Sequence, residues 1–201
     1  MKINTYQNQI KKHKCEWETC TLCPIGQLAR KHVLFKAVNE AQKLDVLFIG
    51  ESPGYQEDRE GLPFVGKAGM LLDDLIKEAE PGDLNYGFTN LVACRPADRL
   101  GAPNREPLTG EILKCSERLK DFIRITQPKV IVLVGALARE SGGYSARDAN
   151  FNGYITNIVH PAYLLRIGCN KEKMLITVQK IRDAFSEARY IINEDTNRAK
   201  S

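Results

Sequence analysis

Four short apolar runs divide the chain, and none of them alternates strictly between apolar and polar positions. They are residues 45–50 (DVLFIG), 88–93 (FTNLVA), 129–135 (KVIVLVG) and 155–159 (ITNIV). Continuous apolar runs of this length are typical of strands that are buried on both faces of a parallel sheet. We therefore predict four parallel strands at the centre of the molecule.

Apolar residues at helical spacing lie between and after these runs. They form three stripes: Leu71, Leu72, Leu75, Ile76 and Ala79; Ile112, Cys115, Leu119 and Phe122; and Val178, Ile181, Phe185, Ala188 and Ile192. We expect the last helix to end at a polar tail, residues 193–201. Alternating strands and helices predict an α/β fold, a three-layer sandwich with a central four-stranded parallel sheet flanked by helices. Ligands of such sheets bind beyond the carboxyl ends of the strands.

The composition is that of a globular chain. Its length of 201 residues predicts one domain, residues 1–201. Hydrophobic residues make up 43% of the chain and charged residues 27%, both ordinary fractions for a globular protein. No apolar run approaches the roughly 20 residues that span a bilayer, and the first residues lack the apolar stretch of a signal peptide. We expect a cytoplasmic protein rather than a membrane protein, a secreted disulfide scaffold or a disordered tail. A net charge of +4 permits a nucleic-acid partner without requiring one.

The cysteines indicate metal binding or redox chemistry before structural disulfides. Cys20 and Cys23 form a C-x2-C pair that can hold one metal centre from a single turn. Cys94 and Cys115 are single and distant, so the second close pair of a zinc ribbon is absent. Four thiolates from separate segments suit an iron–sulfur cluster or a closed structural zinc, and burial in the core is the alternative for the last two.

The segment at residues 50–69 (GESPGYQEDREGLPFVGKAG) follows a strand and precedes a helix, which is a favoured position for a ligand site. An acidic, solvated connection is the alternative interpretation. Within it, residues 61–68 come close to the phosphate-binding loop pattern. However, Ala68 has no hydroxyl for Mg²⁺ and Pro63 has no backbone N–H to hold phosphate, so a nucleotide triphosphatase is disfavoured.

His160 follows the fourth apolar run directly, and Pro161 keeps the residue before it out of helical geometry. A histidine in this position can donate a hydrogen bond or a proton to a ligand at the edge of the sheet. A lone histidine is more often structural, so His160 alone is weak evidence for a functional site and must be considered together with the other motifs.

Together these motifs resemble those of the family-4 uracil-DNA glycosylases, the iron–sulfur branch of the uracil-DNA glycosylase superfamily. The matching runs are residues 50–54 (GESPG), 57–58 (ED), 61–69 (GxPFVGxAG), 89–90 (TN), 94–96 (CRP), 104–107 (NRxP) and 160–166 (HPAxLLR). The resemblance extends from about Cys20 to Arg182. The order and spacing of the runs are far more specific than any single motif.

The resemblance implies a [4Fe–4S] cluster, because the family holds one on cysteines in these places. The implied ligands are Cys20, Cys23, Cys94 and Cys115. Cys15 is a rival for the first position, although the run that follows Cys23 fits the family better. Two features depart from the family: Ser52 stands where Ala or Gly is usual, and the stretch between Cys94 and Cys115 is longer than expected.

The resemblance also implies how the base is recognised. Phe64 would stack on a uracil flipped out of the DNA, and Asn90 would pair with uracil N3–H and O4. Glu57 would lie by the C5 edge and exclude the methyl group of thymine. Gly50 and Ser52 would belong to the same substrate-binding pocket.

For the chemical step, the resemblance implies that His160 stabilises the negative charge that develops on uracil O2. Glu51 would orient the attacking water or favour the cationic sugar. Leu164 and Arg166 would enter the duplex and hold the DNA backbone.

The function implied is that of a monofunctional uracil-DNA glycosylase, a hydrolase that excises uracil and initiates base excision repair. We expect a monomer that acts on uracil-containing DNA, single- or double-stranded, without a membrane. One alternative is a non-catalytic member that binds uracil-containing or single-stranded DNA. Another is a cluster protein that acts on a different damaged base, such as hypoxanthine.

Overall fold

The computed structural model describes residues 5–200. Its strands are β1 (Lys36–Ala37), β2 (Val46–Gly50), β3 (Tyr86–Asn90), β4 (Val130–Val134) and β5 (Tyr154–Ile158). They form one sheet in the order β1-β3-β2-β4-β5. The last four are parallel, and β1 is a short antiparallel edge strand paired with β3. The predicted α/β class is confirmed. The fifth strand was missed because two residues carry no periodic pattern.

The second parallel strand occupies Tyr86–Asn90 rather than the predicted residues 88–93. Residues 91–93 are apolar because they are buried in the core, not because they extend the strand. The carbonyl of Ala93 instead accepts a hydrogen bond from the N–H of Val33, at 2.7 Å, in the segment before β1. The other three strands lie within one residue of their predicted bounds.

Helices cover both faces of the sheet. They are α1 (Thr5–Trp17), α2 (Pro24–Leu28), α3 (Tyr55–Glu60), α4 (Lys67–Glu78), α5 (Thr109–Thr126), α6 (Gly143–Asp148), α7 (Pro161–Arg166) and α8 (Lys171–Arg198), with a π-helical turn at Ala138–Gly142. Between residues 5 and 200, no helix is both long and apolar enough to cross a membrane.

The last helix extends further than the sequence pattern predicts. Polar residues beyond Ile192 continue α8 as far as Arg198. The ammonium group of Lys129, next to β4, lies 2.5 Å from a carboxylate oxygen of Asp195 and ties this part of the helix to the sheet. The predicted end of the helix at residue 193 is therefore wrong, because polar residues on a solvated face do not by themselves end a helix.

The alternation of side chains along the strands creates two apolar layers. All five residues of β2 and of β4 are buried. One layer contacts α1, α5 and α6 through Leu47, Ile49, Ile131 and Leu133. The other contacts α4, α7 and α8 through Val46, Phe48, Val130 and Val132. The three-layer arrangement is thus confirmed, and both faces of the central strands are covered, as a parallel sheet requires.

Candidate active site

A cleft of about 930 Å³ opens at the carboxyl edge of the sheet. From β2 the chain crosses to β3 on one side, whereas β4 and β5 lie on the other side. Divergent crossovers of this kind leave a crevice between the strand ends. The cleft is lined by residues that follow β2, β4 and β5 and by the last residue of β3: Glu51, Ser52, Gly54, Asn90, Gly135, Ala136 and His160.

Phe64 lines this cleft with its backbone in the left-handed region, at a φ of 55°. This conformation costs a bulky residue about 1–3 kcal/mol and is concentrated at functional sites. The loop approaches α4 so closely that a Cβ on Gly69 would lie 2.1 Å from the carbonyl oxygen of Phe64. Lys36 Nζ donates to the same oxygen at 3.1 Å. The surrounding structure therefore fixes the backbone of Phe64, and its ring packs against that of Phe88 with the ring centres 5.5 Å apart.

The carboxylate of Glu57 holds this loop together. It accepts hydrogen bonds from the N–H groups of Gly54 at 3.0 Å, Val65 at 3.0 Å and Gly66 at 2.7 Å. The sequence did not indicate this task, which joins the start of α3 to the residues that follow Phe64. Glu57 also lines the cleft, and its contact with a thymine methyl group stays a prediction.

Asn90 and Phe64 meet above Gly50. A Cβ on Gly50 would lie 2.4 Å from Asn90 Oδ1 and 2.5 Å from Phe64 Cζ, so only glycine leaves room for both side chains. Asn90 is 3% exposed, and its side-chain amide makes no hydrogen bond to another described residue. Asn90 lines the cleft, and its amide atoms are not among the fully enclosed polar atoms, so they are free to pair with a ligand there. The structure thus brings three predicted substrate-binding residues to one point.

His160 lies at the start of α7 with its ring toward the cleft. Its Nδ1 accepts a hydrogen bond from the N–H of Ala162 at 3.1 Å, which places the proton of the neutral ring on Nε2. Burial, with a contribution from the Arg166 guanidinium, lowers the pKa of His160 below its ordinary value. The ring is therefore neutral near pH 7, and its Nε2–H is a hydrogen-bond donor.

Glu51 and Ser52 follow β2 directly and line the same cleft. Burial raises the pKa of the Glu51 carboxyl, and the nearby carboxylate of Glu106 adds to the effect. A carboxylate with a raised pKa is a better proton acceptor near neutral pH. Its position agrees with the predicted task of acting on water or on the sugar, which remains a prediction.

The loop at residues 91–108 contributes residues that sequence reasoning missed. Asn104 and Glu106 line the cleft. Arg105 fixes the loop by an ion pair with Glu111 of α5, at 2.7 Å. The loop has no periodicity, so spacing alone could not place these side chains, although residues 104–107 belong to a matched motif.

The structure overturns the expectation that Leu164 enters the duplex. Leu164 is 0% exposed and packs in the apolar layer beneath α4 and α8. The next residue, Leu165, is 39% exposed. Successive residues of a helix point about 100° apart, and α7 is docked so that Leu164 faces the apolar layer while Leu165 faces solvent. Arg166 is exposed and lines the cleft, as a residue that contacts DNA requires.

A second, smaller pocket gathers the cysteines. It is lined by Cys20, Cys23, Cys94 and Cys115 together with Trp17 and Arg118. Burial and the neighbouring thiols raise the pKa of Cys94, and mainly burial raises that of Cys23. Cys15 and Cys169 are exposed and do not line this pocket. In the described part of the chain, no three His, Cys, Asp or Glu side chains are arranged to hold a single metal ion.

A buried positive charge beside this pocket indicates whether the pocket suits an anionic group such as a thiolate-bound cluster. Arg118 is 1% exposed, and among the described residues it contacts no carboxylate. It donates to the Sγ of Cys115 at 3.4 Å and to the carbonyl oxygens of Asn90 and Leu91. Buried guanidinium groups are almost always paired with an anion. Trp17 Nε1 is buried here without a hydrogen-bond partner. A thiolate-bound cluster supplies the missing negative charge, so these residues fit it.

Comparisons with known proteins agree with this geometry. Residues 36–182 match the family model of the uracil DNA glycosylase superfamily. The chain is 35% identical over 195 residues to the type-4 uracil-DNA glycosylase of Sulfurisphaera tokodaii, an alignment that covers 94% of this chain and 82% of that protein. This chain belongs to the uracil-DNA glycosylase superfamily.

Further relatives support the type-4 branch of that superfamily. The type-4 uracil-DNA glycosylase of Thermotoga maritima is 33% identical over 193 residues, covering 90% of this chain and 88% of that protein. That of Saccharolobus solfataricus is 43% identical over 136 residues, covering 67% and 58%. The superfamily match contains every strand and the whole cleft. Cys20 and Cys23 precede it, but they lie inside the alignment to the S. tokodaii protein because that alignment covers 94% of the chain.

Proposed function

We propose that this protein is a monofunctional uracil-DNA glycosylase, which hydrolyses the bond between uracil and deoxyribose and initiates base excision repair. The observation that carries the proposal is the convergence of three side chains on one cleft. Asn90 offers an unpaired amide, Phe64 a fixed ring and His160 a neutral donor. The type-4 relatives support the same activity by their names.

The cleft suits uracil through the amide of Asn90. Glycosylases take the target base out of the stack and read it in a pocket. The amide oxygen accepts from uracil N3–H while the amide nitrogen donates to O4. Cytosine carries the reverse arrangement of donor and acceptor, so the same amide rejects it. The ring of Phe64 supplies the surface on which the base stacks.

We assign the chemical step to His160 and Glu51. Water adds to C1′ of the sugar, and the electrons of the C1′–N1 bond leave with uracil. Nε2–H of His160 donates to O2 as negative charge develops there. Glu51 orients the water, accepts its proton and opposes the positive charge on the sugar. Glu51→Gln keeps the hydrogen-bonding shape without the charge, so its excision rate measures how much of the catalysis depends on that charge.

The direct test is incubation of the protein with a uracil-containing oligonucleotide, followed by alkali, which cleaves abasic sites. We expect strand cleavage at the uracil and none in an oligonucleotide with thymine or cytosine at that position. Bound but intact DNA would instead support a binding protein. Cleavage only at hypoxanthine would assign the cleft to a different damaged base.

The role in the DNA duplex that the sequence analysis gave to Leu164 suits Leu165 better. We propose that Leu165, exposed beside Arg166, fills the space left in the duplex by the flipped nucleotide. Leu165→Ala should slow excision from double-stranded DNA more than from single-stranded DNA, because only the duplex must be held open. Leu164→Ala should instead lower the free energy of unfolding by about 2–5 kcal/mol, as buried leucines do. Equal slowing on both substrates in Leu165→Ala would contradict this role.

The [4Fe–4S] cluster is proposed on the four cysteines of the smaller pocket. Cys20 and Cys23 precede the sheet, Cys94 follows β3, and Cys115 lies on α5. When bound, the cluster ties these segments together and balances the charge of Arg118. We propose that the chain forms a single domain, residues 1–201, and acts as a monomer on DNA in the cytoplasm, where reduced cysteines persist.

Removal of one thiolate should expose the role of the cluster. We expect the purified protein to be brown with about four irons per chain, and Cys94→Ala to lose both the colour and the iron. Its thermal stability should fall, because Arg118 is then buried without a counter-charge. Cys169→Ala, at an exposed cysteine outside the pocket, is the matched control and should change neither property. Zinc in place of iron, found by elemental analysis of anaerobically prepared protein, would overturn the assignment.

A further inference from the structure

Three guanidinium groups surround the ring of Tyr55 beside the cleft. The Cζ atoms of Arg30, Arg59 and Arg95 lie 5.6, 5.8 and 5.5 Å from the centre of that ring. Tyr55 itself is 47% exposed. We name this surface the arginine rim, formed by Arg30, Tyr55, Arg59 and Arg95. Cation–π contacts of this kind are each worth about 0.5–1 kcal/mol at exposed sites and hold the cations together.

Within residues 5–200, no carboxylate neutralises the rim. Among the described residues, none of its three arginines forms an ion pair, whereas Arg105 nearby is paired with both Asp98 and Glu111. Asp58, the acidic residue that contacts the rim, bonds to the backbone of Arg30 and not to a guanidinium group. Asp58 is buried, and its carboxylate accepts the backbone N–H of Arg30 at 3.0 Å. Three cations gathered without counter-charges repel one another, and an anion that binds them relieves this repulsion.

The rim adjoins the cleft. Tyr55 directly follows Gly54, which lines the cleft, and Arg95 Nε donates to Asn104, which also lines it. The rim lies beyond the ends of β2 and β3, while Arg166 lies beyond β5 at the other side of the sheet. Three strand spacings separate β3 from β5, which is about 14 Å. Cations therefore lie on both sides of the pocket of the flipped base.

We propose that the arginine rim binds phosphate groups of the uracil-containing strand, on the side of the flipped nucleotide opposite Arg166. The proposal rests on the glycosylase function proposed above and adds the path of the DNA strand across the protein. Guanidinium groups bind phosphodiester oxygens through paired N–H donors, and such contacts position DNA without reading its sequence. Tyr55 acts as the support that keeps the three cations at the surface.

The salt dependence of binding tests the rim. The probe is a single-stranded oligonucleotide with an uncleavable uracil analogue at its centre. Arg30→Gln and Arg59→Gln remove one exposed cation each and leave the loop contacts of Arg95 intact. Each should weaken binding several-fold at low salt and reduce the slope of log Kd against log salt concentration by about 0.7, the value for one phosphate contact on single-stranded DNA. Arg124→Gln is the matched control, because Arg124 is half-exposed on α5 beside the opposite edge of the sheet.

A second pair of oligonucleotides locates the contact. When the nucleotides on one side of the uracil are removed, the difference in affinity between wild type and the protein carrying both Arg30→Gln and Arg59→Gln should vanish for one side only. A salt slope that falls equally in Arg124→Gln, or that does not fall in the rim variants, would overturn the rim. If the wild-type protein excises no uracil, the glycosylase proposal fails, while the salt slopes still decide whether the rim binds DNA.

Discussion

Asn90→Asp should lower the rate of uracil excision by a factor on the order of 10⁴ while leaving the protein folded. A site built around a polar contact rejects a mismatched partner by about this factor, because buried polar groups are then left unpaired. The aspartate has no N–H to donate to O4, and its carboxylate faces the oxygen of the base. The measurement is single-turnover excision with saturating enzyme, together with thermal unfolding of the variant.

A matched control shows whether Asn90→Asp acts by losing recognition of the base or by disturbing the cleft in general. Asn157→Asp makes the same change on β5, at another residue that lines the cleft, and should cost far less. Weak excision of cytosine should appear in Asn90→Asp, because a protonated carboxyl group can present the reversed donor and acceptor. Unchanged uracil turnover in Asn90→Asp would show that another residue reads the base.

The sheet was predictable because its central strands are buried on both faces. Runs such as residues 129–135 contain little but apolar residues, which is typical of strands covered on both faces of a parallel sheet. The position of the cleft followed from this, since the residues after β2 and β5 must share the carboxyl edge. Both Glu51 and His160 line the cleft for that reason.

The roles of individual side chains were harder to predict, because they depend on packing. In the run HPAYLLR both leucines look alike, and only the docking of α7 against α4 decides that Leu164 is buried. Phe64 gives no sign of its left-handed backbone in the sequence, although the glycines around it do indicate tight geometry. These outcomes depend on contacts between distant segments, which periodicity does not contain.

Arg118 illustrates the same limit. Its place on α5 resembles that of any charged residue on an amphipathic helix, where exposure is the ordinary outcome. In the fold it is buried, and it joins Cys115 in the smaller pocket to the carbonyl of Asn90 at the base-reading end of β3. The thiol pocket and the cleft therefore share one buried cation. The spacing of the cysteines does not predict this connection through Arg118.

His160→Ala should slow uracil excision roughly 10²–10³-fold, the usual loss when one donor to a developing oxyanion is removed. Binding of an uncleavable uracil analogue should change much less, because the neutral base makes little demand on that donor. The two measurements are single-turnover excision and equilibrium binding. His160 also caps α7 by accepting the N–H of Ala162, so thermal unfolding of the variant is measured alongside to separate the loss of the cap from the loss of the donor.

The pH dependence of this effect follows from the pKa of His160. Burial lowers that pKa below the ordinary value of about 6.5, so the ring stays neutral and keeps Nε2–H as its donor when the pH falls through that value. Protonation would require Nδ1 to give up the hydrogen bond from Ala162. The ratio of wild-type to His160→Ala excision rates should therefore stay constant between about pH 6.5 and about pH 8. A ratio that rises steeply as the pH falls in this range would mean that a charged imidazolium carries the effect.

Equal losses in binding and in excision for His160→Ala would make His160 a ground-state contact, and the mechanism proposed for it would be wrong.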